Sequence, residues 1–399
     1  MKIVVVGAGL AGLSTAMMLT EAGHRVEIVS KGIGGLLLSS GGLDVYGWTP
    51  DGVPVSQPFE KVAELAGTSH PYAQIGADAV RKGIGWLSSR IPAFSFPAGE
   101  ETNALVPTAV GAVRPMLGLH STMSALEDGQ KLVVVGFKQF KDFPAQLIAD
   151  NLSRSPLVDV SARAITISLD VRSHEADSAA TNIARFLDTP EGRETFVSAL
   201  RGQAQPDEIL LVPAMLGLNP QTYEQIVEAL GVRISEVPVA PPSVPGRRVN
   251  DALVQAAKAS RVDLSNNAQV IGCDHENGRI TAVHIQRAGR VTVAEVDAVI
   301  HAGGGFESGS LTRTPEGTIF ERAFDLPVHH AENIFSSGVL VDEKMHPTDE
   351  DGNVVFHNMY LAGSIIGGAH APAEKSGEGI ALGSAWAAAH AAMSEGENR

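Results

Sequence analysis

A glycine pattern near the N-terminus constrains the fold of this chain more than any other feature. The pattern is Gly7-x-Gly9-x-x-Gly12. It follows an apolar run, residues 3–6, that predicts a buried parallel strand, and it precedes a segment, residues 14–22, that predicts a helix. A second strand is predicted after that helix. A unit of this kind binds nucleotide phosphates, because the glycines allow close approach and the helix N-terminus offers N–H groups.

The residues of this turn are the first candidates for a cofactor contact. They are Gly7, Ala8, Gly9, Leu10, Ala11 and Gly12. Dinucleotide folds usually carry Asp or Glu at the end of the second strand, where it binds ribose hydroxyls. Ser30 occupies that position here, Lys31 follows it, and Glu27 lies inside the strand. An altered ribose contact is therefore predicted, and Lys31 either pairs with a phosphate or is a solvated loop lysine.

Composition narrows the class of protein. The chain has 399 residues, of which 44% are hydrophobic and 19% charged, and this predicts a globular protein of two or three domains. The net charge of −15 disfavours nucleic acid as a partner, because non-specific binding needs a basic surface. The uncharged stretch 3–20 is interrupted by the fingerprint glycines, so we expect no direct membrane insertion.

The single cysteine, Cys273, bears on redox environment and metals. It excludes a disulfide, a Cys-ligated zinc site and a Cys-ligated iron–sulfur cluster within this chain. It also fits a reducing, cytosolic compartment. No histidine or carboxylate spacing indicates a metal ion, and we expect none.

The C-terminal part contains further strands that run into glycines. Three short strands with an Asn277-Gly278 turn predict an antiparallel ribbon. A strand over 296–301 then leads to Gly303 and Gly304, and a strand over 359–362 leads to Gly363. Between the N-terminal unit and these strands, residues 49–130 predict an irregular inserted region, and the proline-rich stretch 238–245 predicts a domain boundary.

This order of motifs closely resembles the two-dinucleotide-binding-domain flavoproteins, including the fumarate reductase type. The resemblance implies an α/β, Rossmann-like doubly wound FAD/NAD(P)-binding flavoprotein fold with an inserted middle domain. We place a discontinuous flavin-binding domain at 1–48 and 245–399, and a middle or cap domain at 49–244. In this group the late strand-to-glycine segment approaches the ribityl chain and phosphate of the flavin. Ser364 stands where an acidic residue is usual.

Six segments narrow the resemblance and span nearly the whole chain. They are residues 39–44, 135–143, 182–188, 211–217, 241–246 and 304–309. Together they resemble the B subunit of anaerobic glycerol-3-phosphate dehydrogenase. That family implies oxidation of sn-glycerol 3-phosphate to dihydroxyacetone phosphate, with electrons passed to membrane quinone. It implies FMN on this subunit, with FAD as the alternative, and the missing acid at Ser30 suits FMN, which has no adenosine ribose.

The family also implies partners and a location. The expected partners are a catalytic A subunit that carries FAD, together with an iron–sulfur C subunit that serves as the membrane anchor. The chain would then be cytoplasmic and peripheral to the inner face of the cell membrane, held there through its partner subunits. The flavin contacts expected beyond the N-terminal turn are Ser30, Lys31, Ser39, Ser40, Gly41, Gly42, Gly303, Gly304, Gly363, Ser364, Gly367 and Gly368.

Oxidation of a secondary alcohol needs a base for the hydroxyl proton and cations for the substrate phosphate. His370 follows the Gly367-Gly368 pair and is the candidate base, or else an ordinary loop histidine. Arg247, after the proline-rich boundary, and Lys138, after a strand, are candidate phosphate contacts, or else ordinary surface cations. His301 ends a buried strand and is predicted to be a core residue.

Three functions remain open at this point. The first is a flavin-dependent subunit of a respiratory glycerol-3-phosphate dehydrogenase. The second is a flavoprotein dehydrogenase or reductase of another small hydroxy acid. The third is a non-catalytic electron-relay or assembly subunit, which stays open because the serines at 30 and 364 replace the acidic residues usual at the two flavin contacts.

Overall fold

The computed structural model describes residues 1–169, 171–172 and 175–397. The chain forms two compact units. Unit 1 comprises Met1–Gly35, Asp44–Pro92 and Asn250–Arg399, and unit 2 comprises Leu36–Leu43 and Ala93–Val249.

Unit 1 holds most of the strands. They are β1 (Lys2–Val6), β2 (Arg25–Ser30), β11 (Asp263–Asn266), β12 (Gln269–Glu276), β13 (Arg279–Arg287), β14 (Arg290–Glu295), β15 (Ala298–His301), β16 (Leu311–Arg313), β17 (Ile319–Glu321), β18 (Leu340–Val341), β19 (Pro347–Thr348) and β20 (Met359–Leu361). Its helices are α1 (Leu10–Glu21), α2 (Pro58–Glu64), α3 (Tyr72–Ile75), α4 (Ala77–Arg90), α10 (Ala371–Glu374) and α11 (Gly377–Glu397).

The centre of unit 1 is a five-stranded parallel sheet in the order β11-β2-β1-β15-β20. The apolar run of β1 forms its central strand, and Ile3, Val4 and Val5 are buried, as expected for a parallel strand covered on both faces. In the register of the sheet, Val6 lies beside Val29 and His301. The loops that follow these strands therefore leave the sheet at one edge.

Helix α1 follows β1 directly. Nearly all of its side chains are buried, and its sequence is apolar on every face. It ends where expected: Gly23 has φ +85 and its N–H donates to the Thr20 carbonyl. The predicted β–turn–α–β unit is therefore confirmed, with the helix starting at Leu10.

The predicted ribbon is also present, as the antiparallel sheet β12-β13-β14. Asn277 and Gly278 both have positive φ, which is the conformation of a two-residue hairpin turn.

Residues 49–92 differ from expectation, because they form helices α2–α4 and belong to unit 1. The prediction of an irregular segment there was wrong. Two glycines in α4 weaken its helical signal, but Gly83 lets the helix pack against α11, where a side chain would overlap the Leu382 carbonyl.

Unit 2 is a second α/β arrangement. Its strands are β3 (Phe94–Ser95), β4 (Ala104–Pro107), β5 (Val113–Met116), β6 (Leu119–His120), β7 (Lys131–Phe137), β8 (Ser161–Ile167), β9 (Glu208–Pro213) and β10 (Arg233–Val237). Its helices are α5 (Ala145–Leu152), α6 (Ala180–Leu187), α7 (Pro190–Leu200) and α8 (Pro220–Leu230). Helix α9 (Val244–Ala259) crosses the division between the units.

The core of unit 2 surrounds a parallel sheet in the order β10-β9-β7-β8. Strand β7 contributes Val133, Val134 and Val135, all with no exposed surface. Helix α5 covers this strand with Ile148 and Leu152.

Candidate cofactor and substrate site

Three neighbouring parallel strands of unit 1 end in glycine turns at the same edge of the sheet. Gly7 follows β1, Gly303 follows β15 and Gly363 follows β20. Gly7 has φ +100 and Gly363 has φ +79, so both adopt a backbone conformation that side chains disfavour. A side chain at Gly7 would also overlap the Ala302 carbonyl. Ligands of open parallel sheets bind at this carboxyl edge.

The N-terminus of α1 points into this edge. Gly9 precedes the helix, no side chain of the described residues caps it, and its first turn contains no acidic residue. A side chain at Gly12 would overlap the Gly7 carbonyl, so Gly12 is needed for packing. At Gly9 an added methyl group would lie 3.9 Å from its nearest neighbour, Gly35 N, which is an ordinary contact. Packing does not require glycine there, whereas close approach of a ligand phosphate would require it.

The end of β2 shows what replaces the usual ribose-binding acid. Ser30 is buried, and its hydroxyl donates to the Gly32 carbonyl at 2.6 Å. Glu27 is used within the fold: it accepts from Arg287 Nη2 at 2.6 Å and from Ser265 Oγ at 2.7 Å. Lys31 is exposed. The geometry therefore provides no carboxylate at the end of this strand among the described residues.

A carboxylate does lie between the loops that follow β15 and β20. Glu307 Oε1 accepts from the Gly305 N–H at 2.9 Å and from Ser364 Oγ at 2.8 Å. Ser364 is the residue that stands in place of the usual acid, and both it and Glu307 are exposed. Gly304 has φ +79 and lies beside the same carboxylate. Nothing in the sequence assigned Glu307 a role, although it belongs to a segment that supports the family resemblance.

His370 lies at the start of α10, after the Gly367-Gly368 pair. Its ring is half-buried, stacks in parallel on Phe335 at 6.2 Å between centroids, and contacts Asn333 Nδ2 at 3.1 Å. Its backbone N–H donates to Glu374 Oε1 at 2.9 Å. The imidazole is therefore oriented by an amide and an aromatic ring.

The loop that carries His370 is held in place by a buried pair, His70 and Glu374. His70 Nε2 lies 3.0 Å from Glu374 Oε2, and both side chains are largely buried. Burial alone would raise the pKa of Glu374, but the contact with His70 and the hydrogen bonds from His370 and Ser376 hold the pKa below its ordinary value. Gly368 packs on the Ser69 carbonyl with no room for a side chain.

His301 is fully buried at the end of β15, as predicted for a core residue. Its Nε2 lies 3.2 Å from Glu321 Oε1, which is also buried. Burial alone would raise the pKa of Glu321, but His301 and two backbone N–H groups hold the pKa below its ordinary value. This pair braces the strand that leads into the Gly303 turn.

The other expected flavin segment, Ser39 to Gly42, lies in unit 2. Ser39 and Ser40 accept hydrogen bonds from the N–H groups of Gly41 and Gly42, respectively, which shapes the loop. Gly41 packs against Pro245 and Gly246, which lie at the start of α9, so the loop is adjacent to the chain segment that carries Arg247. Gly42 packs on Met116 and Gly118.

The two cation candidates of unit 2 have different settings. Arg247 lies in the first turns of α9 and is half-buried. Lys138 follows β7, has an exposed side chain, and donates its backbone N–H to the Ile167 carbonyl. Pro245 and Gly246, the two residues before Arg247, lie against Gly41 of the 39–42 loop. Lys138 instead follows β7 at the carboxyl end of the four-stranded sheet.

Arg248, next to Arg247, is buried and fully engaged. It donates to Glu236 Oε2 at 2.6 Å and twice to the Gly217 carbonyl. Thr122 Oγ1 donates to Glu236 Oε2 at 2.6 Å and contacts His120 Nδ1 at 2.9 Å. Burial alone would raise the pKa of Glu236, but Arg248 and these hydrogen bonds hold the pKa below its ordinary value. Arg248 is therefore a structural residue.

Neither a metal centre nor a membrane crossing is found in the described part of the chain. No group of three or more His, Cys, Asp or Glu side chains among these residues is arranged to hold a metal ion. Within the same residues, no helix combines the length and apolar character that a membrane crossing requires.

Comparison with known proteins adds a family and relatives. The FAD binding domain family matches residues 2–380. The chain is 31% identical to the B subunit of anaerobic glycerol-3-phosphate dehydrogenase from Pectobacterium carotovorum, covering 99% of both chains. It is 29% identical to the probable B subunit of the same enzyme from Halobacterium salinarum, covering 98% of this chain and 97% of that protein. Among solved structures, the 3-ketosteroid delta1-dehydrogenase of Sterolibacterium denitrificans is similar with a TM-score of 0.48 and 10% identity, covering 98% of this chain and 99% of that one.

Proposed function

This chain belongs to the family formed by the B subunit of anaerobic glycerol-3-phosphate dehydrogenase, with an α/β FAD-binding fold, and on that premise we propose that it is a flavin-carrying subunit of a respiratory dehydrogenase. The reaction is oxidation of sn-glycerol 3-phosphate to dihydroxyacetone phosphate, with the electrons passed on to membrane quinone. The observation that carries this proposal is the convergence of three glycine strand ends on the N-terminus of α1, which no side chain of the described residues caps.

A bound flavin supplies the acceptor for the two electrons that leave the alcohol carbon. The chain's own residues have three tasks. The backbone N–H groups at the start of α1 bind the flavin phosphate. His370, oriented by Asn333 and Phe335, accepts the hydroxyl proton of the substrate. Arg247 and Lys138 bind the substrate phosphate, Arg247 through its planar fork and Lys138 as a point charge.

We propose FMN rather than FAD as the flavin on this chain, within a family whose domain is described as FAD binding. Ser30 is engaged with Gly32 and Glu27 with Arg287, so neither is placed to bind an adenosine ribose. FMN has no such ribose, and its single phosphate needs only the α1 N-terminus. The expected partners are an A subunit that carries FAD, together with an iron–sulfur C subunit that holds the complex at the inner face of the cell membrane.

The test is the anaerobic visible spectrum of the purified full chain before and after addition of sn-glycerol 3-phosphate, followed by identification of the released cofactor. Bleaching of an oxidised flavin band supports the proposal, and His370→Gln should then slow the bleaching. Recovery of FAD alone would contradict the choice of FMN. A colourless chain that also fails to bind added FMN or FAD would contradict the flavin function itself.

A second role is favoured by one observation. The acidic residues usual at two strand ends, one for a ribose contact and one for the ribityl contact, are serines here, at 30 and 364. A chain with a weakened flavin site would support electron relay or assembly next to a catalytic partner. In that case its flavin stays oxidised when substrate is added to the isolated chain and is reduced only in the assembled complex.

A further inference from the structure

We propose that Glu307 holds the hydroxyl groups of the flavin side chain, in place of the carboxylate that position 364 lacks. The proposal rests on the proposed function, because it concerns the same flavin. It assigns the ribityl chain to a residue six positions after β15 instead of to the end of β20.

The first argument is the position of the carboxylate. Glu307 Oε1 is shared between the Gly305 N–H and the Ser364 hydroxyl, at 2.9 and 2.8 Å. It therefore lies where the β15 and β20 loops meet, at the carboxyl edge of the sheet. Its second oxygen, Oε2, accepts no hydrogen bond from the described residues, and the side chain is exposed. A carboxylate offers about four acceptor positions, so about half of its capacity, including both positions on Oε2, remains for a ligand.

The second argument is the distance between Glu307 and the N-terminus of α1, where the phosphate would bind. Adjacent strands lie about 4.8 Å apart, so the end of β20, two strands from β1, lies roughly 10 Å from it. The first turn of α1 lies closer to the end of β20 than β1 does, because a methyl group on Gly363 would lie 3.1 Å from the Ala11 side chain. Ser364 and Glu307 are therefore within the reach of a short chain that extends from a phosphate bound at the start of α1.

The third argument is charge. An ionised carboxylate only accepts hydrogen bonds, so it attracts hydroxyl groups and repels phosphate. The α1 N-terminus has the opposite preference, because its N–H groups and dipole attract an anion. The two features together orient a ligand that has a phosphate at one end and hydroxyl groups along its chain. A flavin mononucleotide has this arrangement.

The experiment measures dissociation constants of three flavins for the flavin-stripped full chain, by fluorescence quenching. FMN carries both phosphate and hydroxyls, riboflavin carries the hydroxyls alone, and lumiflavin carries neither. In Glu307→Gln we expect FMN and riboflavin to bind roughly tenfold to a hundredfold more weakly, since a charge-assisted hydrogen bond is lost, while lumiflavin is unchanged. The matched control is Glu316→Gln, which removes the same charge from an exposed turn and should change none of the three.

Other outcomes overturn the proposal. Equal weakening of all three flavins would show that Glu307 acts only by holding the two loops. Tighter FMN binding with unchanged riboflavin would show that the carboxylate merely repels the phosphate, and unchanged binding of all three would remove any role. If the wild-type chain binds no flavin, the proposed function fails, which is distinguishable from a failure confined to Glu307.

A second measurement needs no variant and stands even if Glu307→Gln does not fold. The wild-type chain is titrated with a flavin whose side chain is a phosphorylated pentyl chain without hydroxyl groups. We expect it to bind roughly tenfold or more weakly than FMN, because nothing donates to Glu307. Binding equal to that of FMN would overturn the proposal.

Discussion

Replacement of Arg248 by methionine tests the buried network of unit 2. The side chain is 4% exposed and is paired with Glu236, whose side chain has no exposed surface. Arg248→Met keeps much of the volume but leaves the Glu236 carboxylate without its countercharge and the Gly217 carbonyl without its two donors. Breaking a buried pair costs about 3–5 kcal/mol, so we expect the free energy of unfolding to fall by about 4 kcal/mol.

The assay is urea unfolding of the full chain, followed by circular dichroism. Arg233→Met, an exposed arginine at the start of β10, is the matched control and should change stability by less than about 0.5 kcal/mol. Adding Glu236→Gln to Arg248→Met should recover about 2 kcal/mol, because the amide oxygen still accepts from the Leu216 N–H, the amide NH2 can donate to the Thr122 hydroxyl, and no buried charge remains.

The pH dependence of Arg248→Met supplies a further check. Without the arginine, burial raises the pKa of Glu236 above its unfolded value. The loss in free energy of unfolding should therefore be small below the pH at which an unfolded glutamate titrates. It should grow as the pH rises from there through the raised pKa of Glu236 in the folded variant. A loss under about 1 kcal/mol at pH 7, or no recovery by Glu236→Gln, would refute the reasoning.

Three other expectations concern acid stability, the phosphate-binding turn and helix packing. Burial and the nearby positive charge of Arg248 lower the pKa of His120 to about 4. The contribution of the neutral imidazole to stability is therefore complete above pH 6.5 and is lost as the pH falls towards 4. His120→Asn should make stability depend less on pH in this range, and an unchanged pH profile of unfolding would contradict the expectation. Gly12→Ala should abolish flavin binding, because the methyl group overlaps a carbonyl of the turn, whereas Gly32→Ala, with open space around it, should retain the flavin; equal flavin content would contradict it. In α4, Gly83→Ala should lower stability by about 1–3 kcal/mol through overpacking, whereas Gly85→Ala, which faces open space, should raise stability by about 0.5–1 kcal/mol. Equal effects of the two variants in thermal unfolding would show that packing does not distinguish the two positions.

Much of the fold could be predicted because its signals are local. The apolar run of β1, the glycines after it and the apolar helix α1 specify one unit whose contacts are close in sequence. The Asn277-Gly278 turn likewise follows from the positive φ that both residues tolerate. Helices α2–α4 could not be predicted in the same way, since α4 is stabilised by a neighbour, α11, that lies far along the chain.

For the candidate site, the sequence predicted a phosphate-binding turn but not the charges around it. The roles of His370, Arg247 and Lys138 remain predictions, as do the individual flavin contacts. Two adjacent arginines at the start of α9 lie in different environments: Arg248 is buried against Glu236, whereas Arg247 is half-buried. One-dimensional pattern does not distinguish them, because the face of a helix that is buried depends on what packs against it.

The sequence by itself determined the strand–turn–helix–strand unit, the glycine-ended strands and, through their order, the family. The tertiary structure decided which polar groups meet. Glu307 reaches Ser364 across 57 positions of the chain, Thr122 reaches Glu236 across 114, and His70 reaches Glu374 across 304. The physical reason is that backbone conformation follows from neighbouring residues, whereas the partner of a buried or loop-borne charge is set by the packing of sheets and helices that bring distant segments to one edge.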